Sequence, residues 1–161
     1  MKLAASLLLS LSLIGTASLA DTRAGYYYPD ITTNEEFQIR LGEDAASSSN
    51  DTRIEFITDM ASRQRERNYP PRITIFTKGH DARRLIIVAM DNEVFETLYR
   101  ARAMLAELTS EARSTPLLRD RNMQTLVTFF DVLTMLGFKE VTLSDGKTWT
   151  HRIDFVERVS D

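Results

Sequence analysis

The sequence predicts an α+β protein: an antiparallel sheet of about five or six strands with two main helices packed on one face. Three observations lead there. Strand-like alternation falls in two separated stretches, residues 35–90 and 138–155, and the clearest strands come in adjacent pairs joined by turn residues. Between them, apolar residues recur every three and four positions, which is the period of a buried helix face. The resulting order is strand, strand, short helix, strand, strand, helix, helix, strand, strand. Hairpins clustered apart from helices argue α+β rather than alternating β-α units.

The first twenty residues stand outside this domain. Lys2 precedes an apolar and small-residue run from Leu3 to Ile14, followed by Gly15-Thr16-Ala17-Ser18-Leu19-Ala20. A basic start, a short hydrophobic core and a small-x-small ending make a secretory signal peptide, with cleavage expected after Ala20. The apolar run is shorter than a stable membrane span. The mature chain is therefore expected to carry no transmembrane segment. Residues 21–34 read as an extended arm. Its Tyr26-Tyr27-Tyr28-Pro29 sequence is held extended at Tyr28 by the following proline. Side chains alternate along an extended chain, so at least one tyrosine faces away from whatever the others touch. Tyrosine buries area while keeping a polar tip, so Tyr26, Tyr27 and Tyr28 are candidate protein-binding residues. Residues 35–161 then form one domain, long enough for one core and too short for two.

Within the domain, Phe37, Ile39 and Leu41 alternate as a half-buried strand, and residues 42–52 are a loop by composition. Residues 53–58 are expected to resume as a strand through Ile54 and Phe56, with Ile57 off phase. A short charged helix over 59–68 follows, stopped by Tyr69-Pro70-Pro71. Residues 72–78 alternate, Lys78-Gly79-His80-Asp81 turns, and residues 84–90 form an apolar run expected of a strand buried on both faces. The first main helix is expected from Asp91-Asn92, with acids in its early turns, to a frayed end before Pro116. The second runs from about Asn122 to Leu136 and closes at Gly137. Two strands, 138–143 and 149–155, end the chain around Asp145-Gly146, a strong hairpin signal. Leu85 to Val88, Leu98, Leu105, Leu126, Phe130 and Leu133 are expected core residues.

Composition and motifs exclude more chemistry than they suggest. The chain has no cysteine, which removes thiol catalysis and thiolate metal sites. Its lack of disulfides and its short signal fit a bacterial periplasm. The formal net charge of -3, one unit more negative once Lys2 leaves, lacks the basic excess of a nucleic-acid binder. Of the two histidines, His80 sits in a polar turn, and His151 shares a strand face with Trp149 and Ile153. A general base needs a positioned partner, and none is local to either. Neither paired-histidine spacing nor a calcium-loop pattern is present, so no metal and no cofactor are expected. Lys78-Gly79 lacks the rest of a phosphate-binding loop, and no Gly-x-Ser-x-Gly elbow occurs. Arginines are the charge of note. Arg63, Arg67, Arg72 and Arg84 surround the Pro70-Pro71 turn and the next strand, and if they converged they would attract an anion through bidentate contacts. The competing reading is a solvated face balanced by Glu55, Asp59, Glu66 and Asp81.

Tyr26-Tyr27-Tyr28-Pro29, Tyr69-Pro70-Pro71-Arg72, Phe76-Thr77-Lys78-Gly79, Leu98-Tyr99-Arg100-Ala101-Arg102-Ala103 and Phe129-Phe130-Asp131 with Leu136-Gly137-Phe138 carry a resemblance. Together they resemble a family of small exported proteobacterial proteins of undetermined function. Some members bear the name molybdopterin-guanine dinucleotide biosynthesis protein A. That activity implies a Gly-rich strand-loop with Arg and Lys for GTP phosphates at the start of the chain. Here the same place holds a signal peptide. The sequence therefore points to an exported, non-catalytic binding or accessory protein of the cell envelope, with an envelope protein as partner. The alternative is a small anionic-ligand binder, or an enzyme, using the arginines around Pro70-Pro71.

Overall fold

The computed structural model describes residues 29–91, 93–123 and 127–157. Five strands form one sheet: β1 (Thr33–Gln38), β2 (Ile73–Lys78), β3 (Arg84–Ala89), β4 (Glu140–Ser144) and β5 (Thr150–Val156), in the order β1-β5-β4-β3-β2. The α+β class and the strand count agree with the sequence reading. The sheet is mixed rather than antiparallel throughout. β2 pairs with β3 and β4 with β5 as antiparallel hairpins, while β3 runs parallel to β4 and β1 parallel to β5. A tight turn reverses the chain, whereas a helical crossover returns it to the end it left. Hairpin signals thus report each pair and are silent on how the pairs meet. β1 also begins at Thr33, inside the last two residues of the segment read as an arm.

Alternation sorts the sheet into two faces. Ile73 and Ile75, Leu85, Ile87 and Ala89, Val141 and Leu143, and Ile153 and Phe155 join the helix residues in one core. Ile86 and Thr142 are also almost fully buried, but they point to the other face. The continuous apolar run at β3 is therefore buried on both sides, as expected. Its neighbour Val88 is only partly covered. Leu133 is fully buried, whereas Leu105 and Phe130 lie half-buried at the margin of the core. Leu126 and the Leu98 side chain lie outside the described set.

The helices are α1 (Asn50–Arg65), α2 (Leu98–Ser114), α3 (Pro116–Arg119) and α4 (Phe129–Met135). The strand expected over 53–58 is instead the first part of α1. Ser49 caps the helix, its hydroxyl accepting from the Thr52 amide at 3.0 Å. Arg53, Phe56, Ile57, Met60 and Gln64 are the buried stripe, at helical spacing. Arg53 occupies that stripe while Ile54 is exposed, which is why the alternation of Ile54 and Phe56 alone resembles a strand. Arg53 is buried because its guanidinium donates to backbone carbonyls: Asp81 at 2.8 and 3.2 Å, Leu136 at 3.0 Å, and Ser48. It joins the start of α1 to the turn before β3 and to the end of α4.

Both main helices start later than expected. Asp91 organises only a turn, accepting from the Glu93 amide, and Thr97 caps α2 through the Arg100 amide at 3.2 Å. The second expected helix is much shorter, because Thr128 and Asp131 form a reciprocal capping box that starts α4 there. Asn122, the expected start, has a φ of 54°, outside the helical region. Gly137 does close α4, with a φ of 75° and with Phe138 donating to the Leu133 carbonyl at 3.0 Å. The Asp145-Gly146 turn also forms as expected. The Asp145 carboxylate accepts from the amides of Lys147, Thr148 and Trp149 at 2.8–2.9 Å. Burial opposes its charge, but those amides outweigh it and hold the carboxyl below its ordinary value.

Candidate functional site

The helices leave part of their own side of the sheet uncovered near β1 and β5. Parallel pairing puts Thr33 beside His151 and Glu35 beside Ile153, and β4 puts Leu143 on the far side of His151. The start of α2 stands opposite. Between them lies an open cleft of about 440 Å³, within the usual size of a ligand pocket.

Its wall is aromatic. Trp149 and His151 are two residues apart on β5's approach, so they share one face and their rings stack, 5.8 Å between centroids and 9° between planes. Phe95, brought in by the turn before α2, continues the wall at 5.8 Å from Trp149. Leu105, Leu143 and Ile153 form an apolar floor, and Glu35, Glu96 and Arg102 are the charged groups of the lining. Their commitments differ. Glu96 is held by Arg100 at 2.8 Å. Glu35 faces the His151 Nε2 at 3.5 Å, while His151 Nδ1 hydrogen bonds with the Thr33 hydroxyl at 2.8 Å. The Arg102 guanidinium makes no hydrogen bond or ion pair among the described residues.

The four arginines singled out in the sequence do not gather. Arg63 pairs with Asp59 one helical turn earlier, at 2.9 Å. Arg67 bridges Glu107 and Glu111 of α2, lies over the Tyr69 ring at 5.7 Å, and donates to the Tyr69 hydroxyl at 3.1 Å. Hydrogen bonding to Glu107 makes that guanidinium hold its proton more firmly. Burial pushes the Glu111 carboxyl up, and the Gln64 amide and Arg67 offset only part of the effect. Arg72 and Arg84 are exposed at opposite ends of the β2–β3 hairpin, about six residues or ~20 Å apart. Arg84 also projects from the face away from the helices. Tyr26, Tyr27 and Tyr28 lie outside the described residues.

Elsewhere the charges act structurally. Arg40 reaches from the end of β1 to the buried Asp131, with Nε 3.1 Å from Oδ1 and Nη2 on Oδ2. His80 is exposed in its turn, as expected. Among the described residues, no cluster of acidic or imidazole groups is arranged to hold a metal ion, and no helix is long and apolar enough to cross a membrane. Glu35, Phe95, Arg102, Trp149 and His151 were not grouped by the sequence. The shared face of Trp149 and His151 was the available signal, but parallel pairing with a strand over a hundred residues away supplies Glu35.

No family model, curated protein or solved structure matches this chain.

Proposed function

We propose that the mature chain is an exported, non-catalytic binding or accessory protein of the bacterial cell envelope, and that it binds through the cleft between α2 and the β1–β5 edge. The observation that carries this reading is the cleft's lining: an aromatic wall, an apolar floor and a guanidinium without a partner among the described residues, in one open space. Apolar lining with a few oriented polar groups is the usual make-up of a binding site. The His151 ring joins β1 to β5: its Nδ1 hydrogen bonds with the Thr33 hydroxyl, and Glu35 stands 3.5 Å from its Nε2. Export rests on residues 1–20, which read as a signal peptide. The arginines around Pro70-Pro71 support an anion site less well, because Arg63 and Arg67 are already held by carboxylates.

The test fills the cleft. Ala101 lines it from α2, and Ala101→Phe should occupy part of the space. Tagged mature protein, cross-linked in intact cells and recovered, should retain a species that the variant loses at an unchanged thermal midpoint. Equal recovery by both would remove the cleft from the account.

A further inference from the structure

Resting on the reading of this cleft as a binding site, we infer that its ligand is a zwitterion with an apolar body, of the class of free apolar α-amino acids. Two opposite charges line the cleft without satisfying each other. Arg102 on α2 has no charged partner among the described residues. Among the described residues, the Glu35 side chain on β1 has only the 3.5 Å approach of His151, and it is 59% exposed. Glu96, the other carboxylate, is held by Arg100, which it shares with Glu93, and so is less available to a ligand than Glu35. Glu35 and Arg102 come from elements on opposite sides of the space, and they form no ion pair with each other.

Between them lies an apolar surface. Leu143 and Ile153 are almost wholly buried beneath it, and Leu105 and Trp149 border it. A ligand seated there meets carboxylate on one side, guanidinium on the other and hydrocarbon below. A purely anionic ligand would leave Glu35 facing like charge, and a purely cationic one would do the same to Arg102. An α-ammonium on Glu35 and an α-carboxylate on Arg102, with the side chain on the floor, satisfies all three surfaces. The space of about 440 Å³ admits a ligand of this size.

The chain's only tryptophan, Trp149, stands in the wall and reports occupancy. Trp149 fluorescence should be titrated with leucine, with isoamylamine, which lacks the carboxylate, and with isocaproate, which lacks the ammonium. Leucine is expected to bind roughly ten- to a hundredfold more tightly than either, since each analogue forfeits one charge-assisted contact. Arg102→Gln should erase the advantage over isoamylamine, and Glu35→Gln the advantage over isocaproate, both at an unchanged thermal midpoint. An analogue that binds as tightly as leucine, or charge variants that keep its preference, would overturn the zwitterion. No response at millimolar leucine, with Ala101→Phe still abolishing capture of a partner, would also overturn it while leaving the cleft as the binding site. No response together with capture indifferent to Ala101→Phe would sink both.

Discussion

Asp131 shows how one carboxylate can tie two distant parts of the chain. It is fully buried, yet it accepts from Arg40 and from both the amide and the hydroxyl of Thr128, at 2.8 and 2.7 Å. Burial opposes its charge, but these donors prevail and hold the carboxyl below its ordinary value. A depressed carboxylate stabilises the fold above its unfolded pKa, about 3.9, and that contribution is lost as pH falls through the lower folded value. Asp131→Asn should therefore cost on the order of 2 kcal/mol at neutral pH. The figure is modest because Arg40 is more than half exposed and recovers water. Urea unfolding from pH 7 downwards should show the gap between variant and parent narrowing only in the acid range. A gap that stays constant would assign the effect to shape instead of charge. Arg53 makes the complementary case. Its removal strands the carbonyls of Asp81 and Leu136, so Arg53→Met should cost roughly 3 kcal/mol or more by the same unfolding measurement. The sequence hid both roles. An arginine in a buried stripe looks like a break in the pattern, and the partners of Asp131 and Arg53 come from distant loops.

At the level of elements, local signals were legible where the chain satisfies its own backbone. Asp145-Gly146, Gly137, the alternation of β2 and the apolar run of β3 needed no distant partner, and each stands where the sequence put it. The start of α1 reads as a strand because Ile54 and Phe56 alternate, although Ile54 is exposed and the charged Arg53 holds the inner face with Phe56. Ile57, off phase for a strand, was the residue that fitted a helix. The Thr128-x-x-Asp131 capping box was present in the sequence and marks the true start of α4. Two variants check these ends. Ser49→Ala should lower stability by about 1 kcal/mol through the lost cap of α1. Gly137→Ala should cost at least about 1 kcal/mol, because a left-handed residue gains a Cβ that would lie 2.8 Å from Glu43 Oε1. In both, the urea midpoint should fall with the slope unchanged. A changed slope would mean that the denatured ensemble, not the helix end, responds.

For the whole molecule, the fold class followed from the sequence while the site did not. Hairpins and helices are local, but the parallel seams β1–β5 and β3–β4 join segments far apart in the chain, and the first of these builds the cleft. That seam sets Glu35 beside the β5 residues, and α2 then adds Arg102 from across the sheet. The proposed export is tested at this scale too. Intact mass of protein recovered from the periplasm should correspond to a chain starting at Asp21, and a retained Met1 would contradict cleavage. Binding through the cleft is tested most directly by placing a photo-crosslinking amino acid at Ala101, inside it, or at the exposed Ile54 of α1 as a control. After irradiation in intact cells, the recovered protein should carry an adduct, small molecule or protein, at position 101 and none at position 54. An adduct at position 54 alone, or at neither position, would contradict it.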